Sequence, residues 1–371
     1  MLRSLSPTQR TIALAGVVFT VVAGIAEYGG GGEVVRFVLS GLALAALAAV
    51  VGQAIEALGE KLGPSPTALV QSTLGNLPEL FVGIFALRAG LTGVVKAALI
   101  GSVLGNVLLV LGLAFIAGGV RYGTQKFDPE EPRLNATLLL LAVAALLVPT
   151  LAHQLNTPAA PHSGQLSDVT AIVLLVVYAA SVPFYLRRRS PPVPAEAPAA
   201  KAPAGALTPG SPEPGDGSSW PLGLSVAMLA AGSFGAALVS DWFVAALTPA
   251  TRSLGLSQTF TGLVVVAIAS NAVEHAVGIR FALRAKPEFA ISTTLNSPLQ
   301  VALLLTPVLV LLSSVIGPNK LTLVFPPLLV AALAVSAVVV VSIIFDGEYN
   351  WLEGVALVGL YFIIAASFWW G

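Results

Sequence analysis

Long apolar windows recur along the whole chain, and no other feature restricts its folding so severely. Eleven stand out, at about 10–28, 34–57, 66–89, 92–119, 133–152, 166–187, 220–247, 257–283, 288–316, 321–345 and 350–370. A helix needs about 20 apolar residues to cross a hydrocarbon core of roughly 30 Å, so each window has the length of a span. Inside a bilayer every backbone amide must find its partner within the protein, which leaves helices or a closed barrel. No run of roughly ten alternating residues appears, so helices are expected. With 56% of its 371 residues hydrophobic and 10% charged, the chain lacks the polar surface of a soluble domain this large. The absence of cysteine removes disulfides, thiolate metal sites and cysteine nucleophiles. The first window follows Arg3 and Arg10 without a small-residue cleavage site before Glu27, and it reads as a retained span.

Residues 190–218, dense in Pro, Ala, Gly and Ser, cannot bury apolar surface and read as a flexible linker. If the N-terminus lies inside, thirteen of the 18 Lys and Arg residues are cytoplasmic, leaving Arg36, Arg88, Lys96, Arg252 and Lys320 outside. Cytoplasmic loops retain positive charge, so this bias predicts a cytoplasmic N-terminus and linker and an outer C-terminus. An odd number of spans carries a consequence. Five spans after the linker can repeat five before it only if the two copies insert in opposite senses. The expected architecture is therefore an all-α polytopic membrane protein with 11 transmembrane helices: an extra N-terminal helix in 1–33, a first five-helix repeat in 34–189, the linker 190–218, and an inverted second repeat in 219–371.

The repeat is legible residue by residue. GNLPELFVGIFALRAG (75–90) aligns with SNAVEHAVGIRFALRAK (270–286) after a single-residue gap, and GSVLGNVLLVLG (101–112) aligns more weakly with NSPLQVALLLTP (296–307). Each copy buries one carboxylate deep in an apolar window, Glu79 and Glu274, where ionisation is costly without a partner. Asn76 and Asn271 precede them by one helical turn, so amide and carboxylate share a face. Two such faces meeting would offer hard oxygen ligands of the kind calcium takes, six to eight at a time, whereas magnesium parts reluctantly with its water. Gly75, Pro78 and Pro298 should loosen their helices and free carbonyls near the site. Ser102, Asn106, Ser297 and Gln300 on the adjacent repeat helices are further ligand or orienting candidates. Inverted repeats with ion sites at the midplane are an architecture of secondary transporters.

These segments resemble the calcium/cation antiporter superfamily, and within it the cation/proton exchanger (CAX) branch. GNLPEL and SNAVEH look like its two signature segments, and the FALR tails and the GSVLGN and NSPLQ segments fit as well. The resemblance covers roughly 34–187 and 220–370. It implies exchange of calcium for protons by alternating access, with Glu79 and Glu274 binding calcium and protons in turn and Asn76, Asn271, Ser102 and Ser297 nearby. The chain departs from the branch pattern at Ser270, where Gly is usual, at Gly105, where Ser precedes the Asn, and at Asn296, where Gly is usual. The linker also lacks the strongly acidic segment of many relatives.

Other polar groups admit plainer readings. His275 follows Glu274 directly, points about 100° away around the helix, and serves either packing or a proton relay near the site. Asp241 and Glu56 serve proton access or are hydrated interfacial groups. His153 and His162 fall in an outer loop as solvated side chains. Arg88 and Arg284 snorkel to headgroups, Arg187 to Arg189 anchor topology, and Gly29–Gly32 makes a turn. A transporter and not an enzyme is expected, with calcium and protons as cargo, the lipid bilayer as surrounding, no resident cofactor and no nucleic-acid partner. Sodium-coupled exchange is the competing transporter reading. An intramembrane hydrolase, the competing reading from another class, fits poorly with carboxylates duplicated across opposed repeats. The short loops point to a prokaryotic plasma membrane, and the oligomeric state is open.

Overall fold

A computed structural model describes residues 6–62, 74–188 and 220–370 of the chain, and nearly all of them are helical. In order the helices are α1 (Pro7–Tyr28), α2 (Glu33–Leu62), α3 (Leu77–Arg88), α4 (Thr92–Tyr122), α5 (Glu130–Gln154), α6 (Ser163–Arg188), α7 (Leu222–Ser253), α8 (Gln258–Ser270), α9 (Ala272–Leu283), α10 (Pro287–Ile316), α11 (Pro327–Asp346) and α12 (Trp351–Ser367). Eight are long and apolar enough to cross a membrane, and α8 and α9 together form a ninth candidate bent by 64°. α12 is a shorter apolar helix, and the window at 66–89 is described only from Leu74 onward. The linker 190–218 lies outside the described residues. Exposed Leu14, Val17, Val21 and Ile25 on α1, and Val169, Ile172, Val173 and Val176 on α6, give the bundle an apolar exterior of the kind lipid covers. The protein is an integral membrane protein.

The centre of the bundle belongs to α4, 83% of whose apolar window is buried, followed by α10 at 56%. These carry the two weakly aligned segments 101–112 and 296–307. α4 is apolar over most of its surface, and small residues let its neighbours approach. A Cβ on Gly101 would lie 2.1 Å from the Leu263 carbonyl oxygen of α8, and one on Gly354 would lie 2.5 Å from the Gly112 carbonyl, so α4 is gripped by α8 near its middle and by α12 beyond. Around this core α2 packs along α7, α1 packs on α2, α11 on α5, and α6 on α10.

Two loops correct or sharpen the sequence reading. Gly29–Gly32 does turn the chain, with Gly30 at φ 78°, and Arg36 donates to both carboxylate oxygens of Glu27 to close the α1–α2 corner. The window at 321–345 was expected to be helical throughout, yet its helix starts only at Pro327. The preceding residues form an extended strap whose backbone is bonded by side chains: Leu321 N–H donates to Ser313 Oγ (2.9 Å), Leu323 N–H to Ser167 Oγ (2.9 Å) and Phe325 N–H to Thr150 Oγ1 (3.0 Å). Lys96 of α4 donates to the Val324 carbonyl (2.6 Å) and to Thr322 Oγ1 (3.3 Å). Leu321, Leu323 and Phe325 are buried, so hydropathy alone could not distinguish this strap from a helix. At the other end of the bundle Gln125–Lys126 pairs antiparallel with Glu348–Tyr349, and the Tyr349 ring stacks on Phe115 with centroids 3.9 Å apart.

Candidate functional site

Both copies of the repeated motif break their helix at the same residue. Leu74 is helical, Gly75 and Asn76 turn, and α3 restarts at Leu77; likewise Asn271 separates α8 from α9. The two asparagines adopt nearly the same backbone conformation, φ −95° and ψ 24° for Asn76 and φ −101° and ψ 17° for Asn271. Pro78 helps restart the first helix, since a proline near a helix start gives up a donor that has no partner there. The breaks place Glu79 and Glu274 in the first turns of α3 and α9, where the positive end of the helix dipole favours a negative group.

The facing helices are irregular too. α4 switches to a π-helical turn over Gly105–Val110 and α10 does so over Val301–Leu305, each just beyond Ser102 and Ser297 respectively. A π-turn widens the helix and is frequent at functional sites. Pro298 lies inside α10 just ahead of its π-turn, the loosening expected of it.

These elements bring the polar candidates together across the two copies. Asn76 Nδ2 donates to Gln300 Oε1 (2.7 Å). Ser102 Oγ and Asn106 Nδ2 donate to Asn271 Oδ1 (3.1 and 3.2 Å), and Asn106 Nδ2 also faces Ser297 Oγ at 3.5 Å. Every one of these bonds crosses from one copy to the other. Glu79 is buried, Glu274 is partly exposed, and the two carboxylates are close enough for their charges to interact. Both Glu79 oxygens are buried without a hydrogen-bond partner, as are Asn106 Oδ1 and His275 Nε2. The His275 ring lies against Gly105, whose Cβ would be 3.9 Å from Nε2. An open space of about 390 Å³ ends on this cluster. Its polar lining is Glu79, Ser102 and Ser270, and apolar side chains such as Val82, Val95 and Leu309 carry it toward the end where α3 finishes and α4 begins.

Among the described residues no group of three or more His, Asp and Glu side chains converges. A cation bound here would therefore depend on amide, hydroxyl and backbone oxygens as much as on its two carboxylates, which is a hard-cation donor set.

The family model described as sodium/calcium exchanger protein matches residues 33–186 and 224–370. The chain belongs to that family. This exchanger is 38% identical to a protein of Synechocystis sp. named Ca(2+)/H(+) antiporter, covering 97% of this chain and 98% of the relative. It is 33% identical to the Ca(2+)/H(+) antiporter ChaA of Bacillus subtilis, covering 96% and 97%. Among solved structures, native YfkE superposes with a TM-score of 0.79 at 29% identity, covering 96% of the exchanger and 99% of YfkE. The H+/Ca2+ exchanger CAX shares the fold with a TM-score of 0.74 at 18% identity.

The remaining sequence candidates fall outside the cluster. Asp241 lies on the exposed face of α7 with Phe234 and Leu238, and Glu56 is exposed near the end of α2. His153 closes α5 and His162 lies in a short turn before α6, where its Nδ1 faces Gln165 Oε1 at 2.8 Å; both rings are exposed, as expected. Arg88 and Arg284 are exposed at the ends of α3 and α9. The side chains of Arg187 to Arg189 lie outside the described residues. The sequence reading passed over two buried participants. Ser270 appeared there only as a departure from the family pattern, yet its Oγ accepts from Asn271 Nδ2 at 3.2 Å. Asn135, a lone amide in an apolar window, donates to Asn296 Oδ1 at 2.9 Å and so gives that departure from the family pattern a partner in α5.

Proposed function

We propose that this exchanger moves calcium out of the cell against protons by alternating access, with Glu79 and Glu274 holding either the calcium ion or protons. The carrying observation is the pair of carboxylates seated at matching helix breaks, one with both oxygens buried and unpartnered. Two ionised, empty carboxylates in such a site would make crossing between inward- and outward-facing states strongly unfavourable, and neutralisation by either cargo removes that barrier. Exchange then follows from the requirement that the site never crosses empty and charged. The relatives named as calcium/proton antiporters support calcium and protons as the two cargoes.

In this proposal Asn76, Gln300, Asn106, Ser102 and Ser297 complete the oxygen set with the carboxylates, Asn271 stands among them bonded to Ser102 and Asn106, and His275 is a secondary proton-handling group beside it. The chain spans the membrane eleven times, as an extra helix followed by two inverted five-helix repeats joined by the cytoplasmic linker. The matched asparagine breaks and paired π-turns support the repeat. With the N-terminus cytoplasmic, the open space beside Glu79 reaches toward the outer face of a bacterial plasma membrane. No resident cofactor is needed; calcium and protons are cargo.

The test is calcium-driven proton movement in liposomes carrying the purified protein, with sodium added at clamped pH as the control. Calcium-driven alkalinisation or acidification that ignores sodium supports the proposal. Calcium flux that follows a sodium gradient and leaves internal pH unchanged refutes proton coupling.

A further inference from the structure

The two asparagines of the repeated motif match in backbone, but among the described residues their side chains bond differently. Asn271 has no solvent exposure, and its side-chain amide is saturated. Its Nδ2 donates to the Ala267 carbonyl (2.9 Å) and to Ser270 Oγ (3.2 Å), while its Oδ1 accepts from Ser102 Oγ (3.1 Å) and Asn106 Nδ2 (3.2 Å). A primary amide has two donor hydrogens and two acceptor sites, and all four are used. Its orientation is fixed, because a backbone carbonyl can only accept and Nδ2 must face Ala267. Ser270 is itself anchored, donating to the Val266 carbonyl at 3.0 Å.

The same logic fixes Asn106. Its Nδ2 faces the Ser102 carbonyl at 3.0 Å as well as Asn271 Oδ1, so both donors point away from its own Oδ1. That oxygen is buried and without a hydrogen-bond partner. A buried amide oxygen left unpaired is costly, which marks it as a position that a cation would relieve. In the first copy Gly75 stands where Ser270 stands, so no hydroxyl directly precedes Asn76 in the chain, and Asn76 donates to Gln300.

We infer that Asn271 is a strut and not a cation ligand, and that Ser270 and Asn271 act as positioning residues which hold Asn106 Oδ1 toward the transported cation. The inference rests on the calcium reading above and deepens it by dividing the site's labour. The second copy supplies a fixed frame, and the amide oxygen presented to calcium comes from the first. If the strut is lost, the Asn106 amide keeps only its bond to the Ser102 carbonyl, and Oδ1 is no longer held in one position toward the cation.

The test is a double-mutant cycle read as the calcium KM and turnover of exchange in liposomes, on variants that elute as the intact protein and keep a cooperative thermal transition. Asn106→Ala and Asn271→Ala should each raise the calcium KM, by roughly tenfold if each loses the equivalent of one charge-assisted bond. The double variant should match Asn106→Ala within about threefold, because the strut's main target is gone and only the Ser102 hydroxyl remains for it to hold. Ser270→Ala should raise KM about two- to fivefold in the wild-type background, be silent in the Asn106→Ala background, and be rescued by Ser270→Thr. The Ser270 and Asn106 cycle carries the test by itself if Asn271→Ala fails to fold. Effects of Asn271→Ala and Asn106→Ala that multiply, to roughly 100-fold in the double variant, make Asn271 an independent ligand and overturn the inference. Wild-type protein without calcium-driven proton flux removes the exchange reading and this inference with it. Wild-type flux with multiplicative variants removes only the strut.

Discussion

Replacing Gly101 by alanine should disable the site from outside it. The added Cβ would lie 2.1 Å from the Leu263 carbonyl oxygen and 2.7 Å from that residue's C and Cα, all backbone atoms, so no rotamer change relieves the contact. A carbon and a carbonyl oxygen meet comfortably at about 3.3 Å, so α4 and α8 must part by roughly 1.2 Å. Gly101 precedes Ser102 on α4, and α8 runs on from Leu263 to the break at Asn271. The displacement therefore pulls directly on the bonds from Ser102 and Asn106 to Asn271 Oδ1, now 3.1 and 3.2 Å long. Overpacking costs about 1–3 kcal/mol, and two weakened buried hydrogen bonds add about 1 kcal/mol each, for a total of about 3–5 kcal/mol. The assay pairs thermal unfolding in detergent with calcium uptake in liposomes. Gly101→Ala should melt well below the wild type, and the fraction that stays folded should show a raised calcium KM. A variant within about 0.5 kcal/mol of wild-type stability, with an unchanged KM, would refute the claim that this contact holds the site together.

Four further outcomes are expected. Lys96→Met should cost about 1–3 kcal/mol, because it strips the donor from the Val324 carbonyl and loosens the strap at 321–326; thermal unfolding and protease sensitivity at the strap would register it. Tyr349, whose phenol is pushed up to about 12 by burial, stays neutral throughout the working range, so Tyr349→Phe should leave stability and its pH profile close to wild type. Tyr349→Ala should cost about 3–5 kcal/mol through loss of the stack on Phe115 and the contact with Phe127, measured by the same unfolding assay. Protons and calcium compete for the same carboxylates in the proposed cycle, so acidifying the calcium-loading side should raise the calcium KM with little change in maximal rate. A KM independent of pH on that side would contradict competition.

Much of this was legible in the sequence because a bilayer leaves few solutions. The apolar windows predicted helices that the structure contains where those windows are described, apart from the strap at 321–326, and Gly75 and Pro78 marked the interrupted start of α3, whereas the break at Asn271 falls inside a window read as one helix. The alignment of Ser102 with Ser297 paired α4 with α10, which the structure then places at the centre of the bundle. What escaped was local bonding. The strap at 321–326 is as apolar as a span, and its identity depends on hydroxyls from Ser167, Thr150 and Ser313, far away in sequence. Symmetry in the motif suggested that Asn76 and Asn271 do the same work, but their neighbours differ. Gly105 aligns with Gln300 and Gly75 with Ser270, so the two amides find different partners. Asn135 gave no periodic signal, since a lone amide in an apolar helix declares a partner without naming it.

The account depends most on Glu79 and Glu274 sharing one alternately occupied site, and Glu→Gln substitution in liposomes with a trapped pH dye tests it directly. Glutamine keeps the shape and removes the charge, so Glu79→Gln and Glu274→Gln proteins should insert and fold normally. An imposed calcium gradient should drive protons the opposite way through the wild type and through neither variant. Calcium-driven proton movement that survives in either variant at a rate near wild type would contradict the account.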